Sequence, residues 1–213
     1  MKNFLAIDTS GDTLSVVVRK DGRCFSAFLT DCAMKHSVLL MDTINEVFKK
    51  AQLTPSECDF FAAVVGAGSF TGIRIGISAI KGFALACKKP TLSITSFDTL
   101  AYNSIEREGK ILCLVDALHG SYYACGYENG KIVYPPAYID EAEVLALCQS
   151  GYTPVAGASL ELAQKIPVET VSLVTGLERA VCALCQDEGN FGELEALYIR
   201  KSSAELNRER SES

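Results

Sequence analysis

The sequence predicts an α/β fold of two similarly organised lobes. Three observations carry that expectation. Apolar residues at 48% and charged ones at 22% match ordinary globular usage. Continuous apolar runs alternate with helix-period patterns, which implies parallel strands joined by crossover helices. The two halves also show the same order of elements. The 213 residues exceed the usual single-domain size of about 100–150 and fall short of a comfortable pair, hence one large or two small lobes.

In the first half, Phe4 to Ile7, Leu14 to Val18 and Arg23 to Leu29 read as three strands separated by Ser10-Gly11-Asp12 and Asp21-Gly22. His36 to Ala51 then places Leu40, Ile44, Val47 and Ala51 on one helical face, with Val38, Met41 and Phe48 on a neighbouring one. Phe60 to Val65 is a buried strand, followed by a Gly/Ser loop, a helix from about Thr71 to Cys87 and a strand at Thr91 to Thr95. Both helices carry a second apolar side, suited to another helix of this chain or to a partner.

The second half predicts strands near Ile111 to Val115, Tyr122 to Tyr127 and Lys131 to Tyr138, then a helix from Glu141 to Cys148 and a strand at Pro154 to Ala156. A helix near Leu160 to Lys165, a strand near Thr170 to Val174 and a helix from about Leu177 to Gln186 complete it. The boundary near Tyr102 to Gly109 is polar, and the tail from Ser202 to Ser213 is expected to fray.

Composition excludes several function classes. The longest charge-free stretch, Val144 to Leu160, is interrupted by Gln149, Ser150, Gly151 and Pro154, so no membrane-spanning helix is expected. Only Asn3 to Ile7 separate Lys2 from Asp8, too short for a secretory signal, so a cytoplasmic location is expected. The nine cysteines form an odd set within mostly apolar runs and read as buried, reduced thiols; Cys182 and Cys185 have redox or metal spacing but lie in a helical pattern without a second pair. The net charge of −6 is concentrated in the second half, where residues 101–213 hold 9 basic and 17 acidic groups, so autonomous tight binding of nucleic acid is not expected.

The segment with most chemical content is Val65-Gly66-Ala67-Gly68-Ser69-Phe70-Thr71-Gly72-Ile73-Arg74-Ile75-Gly76, a glycine-rich turn from strand into helix. Such a helix start offers free backbone N–H groups to an anion. Its spacing fits neither the dinucleotide fingerprint nor the P-loop, which leaves a phosphate cradle and a tight structural turn both open. Asp8, Thr9 and Ser10 lie in the turn after the first strand and offer the same two readings; Asp116-Ala117-Leu118-His119-Gly120 holds the equivalent point of the second half. His36 and His119 are far apart and lack a neighbouring His or Cys, so capping or solvated roles are expected rather than metal ligation. No nucleophile elbow is present.

Together, Ala6-Ile7-Asp8-Thr9-Ser10, His36-Ser37 with Leu39-Leu40, Gly68 to Gly76, Asp116-Ala117, and Tyr198-Ile199-Arg200-Lys201-Ser202 with Ala204-Glu205 resemble the TsaB (YeaZ) family over the whole length. The resemblance implies an actin-like (ASKHA, ribonuclease-H-like) fold. Residues 1–104 would form an N-terminal lobe carrying the partner-binding helices, and residues 105–213 a C-terminal lobe with a flexible tail. It implies a non-catalytic subunit that dimerises with TsaD, joined by the ATPase TsaE, in threonylcarbamoyl transfer to adenosine 37 of tRNAs reading ANN codons. The alternative is a stand-alone ATP-dependent enzyme of the actin-like superfamily using Asp8 and the glycine loop.

From the same resemblance, the partner interface is expected at His36, Leu39, Leu40, Thr43, Val47, Gly72, Arg74, Ile75, Gly76, Ala79 and Phe83. No catalytic residue and no metal site are expected, since the paralogue's His-x-x-x-His pair has Leu40 in second place here. No intrinsic cofactor is expected; ATP or ADP would enter with the assembled complex, any phosphate contact falling to Asp8, Thr9, Ser10, Gly68 and Ser69. Alone, the chain would pair with itself, and tRNA would be met only through the complex. The chain carries Ala67 where the family usually has Pro, and Leu118-His119 where it usually has Arg.

Overall fold

The computed structural model describes residues 2–158 and 160–200. The tail from Ser202 to Ser213 and the motif residues Lys201, Ala204 and Glu205 lie outside the described residues. The first half runs β1 (Phe4–Asp8), β2 (Leu14–Lys20), β3 (Arg23–Leu29), α1 (His36–Ala51), β4 (Phe60–Val64), α2 (Phe70–Cys87), β5 (Thr91–Ile94) and α3 (Ser96–Ala101). The second runs β6 (Lys110–Asp116), β7 (Ser121–Glu128), β8 (Lys131–Asp140), α4 (Glu141–Gln149), β9 (Tyr152–Ala156), β10 (Glu169–Thr170) and α5 (Leu173–Leu184).

Each half builds one five-stranded mixed sheet, in the orders β3-β2-β1-β4-β5 and β8-β7-β6-β9-β10. The two orders are the same in chain sequence, and so are the senses: the first three strands pair antiparallel, the last two add parallel. This repeated plan is the actin-like, ribonuclease-H-like architecture. Matching hairpins start both lobes. Asp21-Gly22 closes β2 on β3, and Asn129-Gly130 closes β7 on β8; all four residues take positive φ, as a two-residue turn that follows strand twist requires.

β1 and β4 are buried along their whole length because the first sheet is covered on both faces. Leu5, Ile7, Phe61 and Ala63 point to α1 and α2, whereas Phe4, Ala6, Phe60 and Ala62 point to α5. Thus α5, which follows the strands of the second lobe in sequence, packs on the sheet of the first. In the reverse direction, α3 lies on the second sheet, with Phe97 and Leu100 against Ile111 and Cys113. After α5 the chain returns to the first sheet: Gly192 N–H donates to Thr91 O (3.0 Å) and Leu197 N–H to Val65 O (2.7 Å).

Four local expectations need correction. The strand near Thr170 to Val174 is only Glu169–Thr170, because the Ser172 hydroxyl accepts from Thr175 N–H and starts α5 at Leu173. The helix near Leu160 to Lys165 is a 3-10 turn at Glu161–Gln164. α3 was not expected, although Thr95 and Asp98 form a reciprocal capping box at its start. His36 is neither solvated nor a cap but 2% exposed, with Nε2 donating to Thr13 O at 3.0 Å.

The cysteines are all free; Cys32, Cys58, Cys113, Cys125 and Cys185 are buried and Cys24 is exposed. Among the described residues no three His, Cys, Asp or Glu side chains gather as metal ligands. α2 has the length and apolarity of a membrane span by composition alone, yet it carries Arg74 and Lys81 and lays Ile73, Ile77 and Ile80 on the first sheet.

Candidate functional site

The turn after β1 and the loop before α2 meet at one end of the first sheet. Asp8 is buried, and its Oδ1 accepts from Ser10 N–H (2.8 Å) and Ser10 Oγ–H (2.7 Å). Burial raises the Asp8 pKa above its ordinary value; the two Ser10 hydrogen bonds and nearby His36 oppose that rise. Thr9 Oγ1 donates to Gly72 O at 2.7 Å. The Ser10 hydroxyl lies 3.2 Å from that of Ser96, which in turn donates to Ala67 O at 2.5 Å. His36 Nδ1 is buried without a hydrogen-bond partner.

The glycines explain themselves in this setting. A Cβ added at Gly68 would overlap Ser10 O, one at Gly72 would overlap Thr9 O, and one at Gly76 would lie 2.5 Å from Thr9 Oγ1. Gly68 also holds φ at +147°, which only glycine adopts readily. A Cβ at Gly66 would lie 2.6 Å from Leu197 O. The block therefore lets two backbone segments and the returning C-terminal segment close onto one another. Donors that would face a phosphate are turned inward: Ser69 N–H gives to Ser10 O (2.7 Å) and Gly72 N–H to Ser69 Oγ (3.2 Å). A tight structural turn accounts for the bonds made by the Ser69 and Gly72 N–H groups. The matching second-lobe turn is exposed at Leu118, His119 and Gly120, all at positive φ, with Leu118 N–H donating to Asp116 Oδ1.

The residues expected at a partner interface divide by burial. His36, Leu40, Thr43, Val47, Gly72 and Gly76 are covered by the chain's own first lobe. Leu39, Ile75, Ala79 and Phe83 are half-buried, with Phe83 stacked on Phe61 (5.7 Å, 24°) and tilted against Phe48 (6.4 Å). Arg74 is exposed, its guanidinium carbon 3.8 Å from the centre of the Phe70 ring. The expected interface set omits the outermost apolar side chains, Val38 at 73%, Met41 at 47% and Leu85 at 83% exposure, although Val38 and Met41 lie on the second apolar face read from the sequence. Their signal lay in being apolar off the core-facing stripe of each helix.

The family model for TsaD, tRNA N6-adenosine threonylcarbamoyltransferase, matches residues 30–194. The tRNA threonylcarbamoyladenosine biosynthesis protein TsaB of Bacillus subtilis is 29% identical over 71% of this chain and 68% of its own. Its namesake in Escherichia coli is 30% identical over 60% of this chain and 56% of its own, so that alignment spans little more than half of the relative. Among solved structures, YeaZ from Pseudomonas aeruginosa superposes with a TM-score of 0.72 at 20% identity, covering 93% of this chain and all of that one. A crystal structure described as similar to peptidase YeaZ, from the same organism, reaches 0.77 at 22% identity over 94% of this chain and all of that one. These two likenesses concern the fold. With the family model spanning most of the sequence and the relatives' names agreeing, the chain belongs to the tRNA N6-adenosine threonylcarbamoyltransferase family, on its TsaB (YeaZ) side.

Proposed function

We propose that this chain is a non-catalytic scaffold subunit in threonylcarbamoyladenosine synthesis, pairing in the cytoplasm with a TsaD-type catalytic subunit and joined by the ATPase TsaE. The modified site would be adenosine 37 of tRNAs reading ANN codons. The observation that carries the reading is the outer surface of α1 and α2. Val38 and Met41, one turn apart on α1, stand 73% and 47% exposed, beside the flank of α2 that carries half-buried Ile75, Ala79 and Phe83, whose ring meets Phe48 of α1; no other described part of the chain covers them. Neighbouring exposed apolar side chains that continue across two helices suit an interface, as a single one would not. The same surface would pair two copies when the catalytic subunit is absent.

Two further features support the scaffold role. Leu40 stands in the core where the catalytic paralogue's second histidine would be. The N–H groups of Ser69 and Gly72 are bonded within the protein, which leaves the loop fewer donors for a phosphate.

The test is co-elution with the cognate TsaD on a sizing column. A Val38→Glu/Met41→Glu variant should fold normally yet elute apart from TsaD. Phe83→Glu would be a poor probe, because Phe83 stacks on Phe61 inside the lobe. Separate elution of the unaltered proteins at micromolar concentration, or normal pairing of the double variant, would overturn the proposal.

A further inference from the structure

On the flank of α2 turned away from α1, aromatic rings and guanidinium groups alternate. Phe70 stacks on Tyr198 with centroids 4.4 Å apart and planes at 24°. The Arg74 guanidinium covers Phe70, and its Nε–H donates to Tyr198 Oη at 2.9 Å. Two residues along, Arg200 lies 4.8 Å from the centre of the Tyr138 ring and donates to its hydroxyl at 3.2 Å; Tyr138 in turn leans on Tyr123 at 5.8 Å. Ile199, between the two groups, packs into the second lobe's inner cluster and fixes their spacing.

Two properties set this surface apart. The four ion pairs among the described residues involve neither Arg74 nor Arg200, in a chain of net charge −6. Both charges are thus held on rings, with no carboxylate of the described residues paired to either. The rings remain open as well, Tyr198 being 42% and Tyr138 39% exposed. Guanidinium edges suit phosphate or carboxylate oxygens, and exposed ring faces suit unstacked bases. An acidic protein segment would use the first and leave the second idle; a duplex would hide its bases. We infer that the Phe70–Arg74–Tyr198 and Arg200–Tyr138 groups form a contact platform for unpaired nucleotides of RNA. That the RNA is tRNA rests on the function proposed above; the platform itself does not.

The acidic remainder of the chain makes the expected affinity weak, with a dissociation constant of about 10⁻⁴ M at low salt, near the weak end for non-specific contacts. The experiment is fluorescence anisotropy of the full chain, without any partner, against a labelled single-stranded RNA of about ten nucleotides. A duplex of equal length and a poly-glutamate peptide serve as competitors. The single strand should bind with a log–log salt slope of about −1.4, as expected for two phosphate contacts. Arg74→Ala or Arg200→Ala should each remove about half of that slope. Tyr138→Ala should weaken binding about tenfold through lost stacking, and Tyr138→Phe should not. Because these side chains are exposed, thermal unfolding should report intact folds. Absence of binding by the unaltered chain, unchanged binding by the variants, or equal competition from duplex or poly-glutamate would each overturn the inference. Failure of the TsaD pairing test would leave this result standing, and the reverse also holds, so the two proposals fail separately.

Discussion

An added Cβ on Gly72 would overlap the backbone oxygen of Thr9, and the Thr9 hydroxyl donates to the Gly72 carbonyl at 2.7 Å. The first turn of α2 is therefore seated directly on the turn after β1. Substitution of Gly72 by Ala should force backbone apart, at a cost of about 3 kcal/mol by analogy with overpacked cores. In a chain of this size that is a Tm fall of roughly 6–12 °C. Gly82 lies in the same helix with open space around it, so Gly82→Ala should instead stabilise by about 0.5–1 kcal/mol. Calorimetric melts of the two variants check this, and equal effects would refute the assigned role of Gly72.

The Asp8 carboxyl makes a pH-dependent contribution whose sign follows from its surroundings. Burial raises its pKa, outweighing the Ser10 hydrogen bonds and His36, so the folded chain holds the proton more tightly than the unfolded one. Its contribution is fully present below about pH 4, the unfolded carboxyl value, and is lost as pH rises through the folded value. Asp8→Asn cannot ionise, and its amide oxygen can still accept from Ser10. The variant's Tm relative to the parent should therefore climb as pH rises above about 4 and level off only once the folded carboxyl has ionised. A difference that stays constant over that range would show that Asp8 titrates normally.

Much of the fold was legible because its determinants are local. Runs such as Phe4–Asp8 and Phe60–Val64 are apolar throughout since their sheet is covered on both sides, and the Asp21-Gly22 pair names its own hairpin. The reading failed where tertiary contacts decide. Ser172 converts a β-branched run into a helix start, and α5 leaves its own lobe to cover the other sheet. The glycine block was conspicuous, but spacing alone cannot distinguish donors aimed at a ligand from donors aimed at Ser10 O. Likewise, helical periodicity placed Leu40 and Val47 on an apolar face without saying that β2 and its neighbours, not a partner, already cover it.

Cys24 is exposed as a residue yet carries a thiol pushed up to about 12, first by partial burial and then by the neighbouring Glu178 carboxylate. Since the thiolate is the reactive form, alkylation by iodoacetamide at pH 8 should be far slower than for a free cysteine. The rate should rise close to tenfold per pH unit up to pH 10. Glu178→Gln should speed the reaction at pH 8, read by mass spectrometry of the Cys24 peptide. Labelling as fast as that of a small thiol would mean that the side chain does not sit against Glu178.

Contact between the two lobes depends on one residue without a side chain. At Gly176, α5 comes so close to α3 that an added Cβ would overlap Thr99 O, and Asn103 Nδ2 bridges Thr99 O and Ser172 O at 3.0 Å each. α5 covers the first sheet while α3 covers the second, so a displacement here moves both covers together. Gly176→Ala should lower stability by about 2–3 kcal/mol. It should also raise amide exchange along both helices, whereas Gly72→Ala should raise it only around the start of α2. Asn103→Ala should give a smaller loss, about 1–2 kcal/mol, by removing the amide that ties Thr99 O to Ser172 O, the latter keeping only Gly176 N–H. If exchange after Gly176→Ala rises in α5 alone, the helices are not coupled and the lobes are held by the chain connections and the returning C-terminal segment instead.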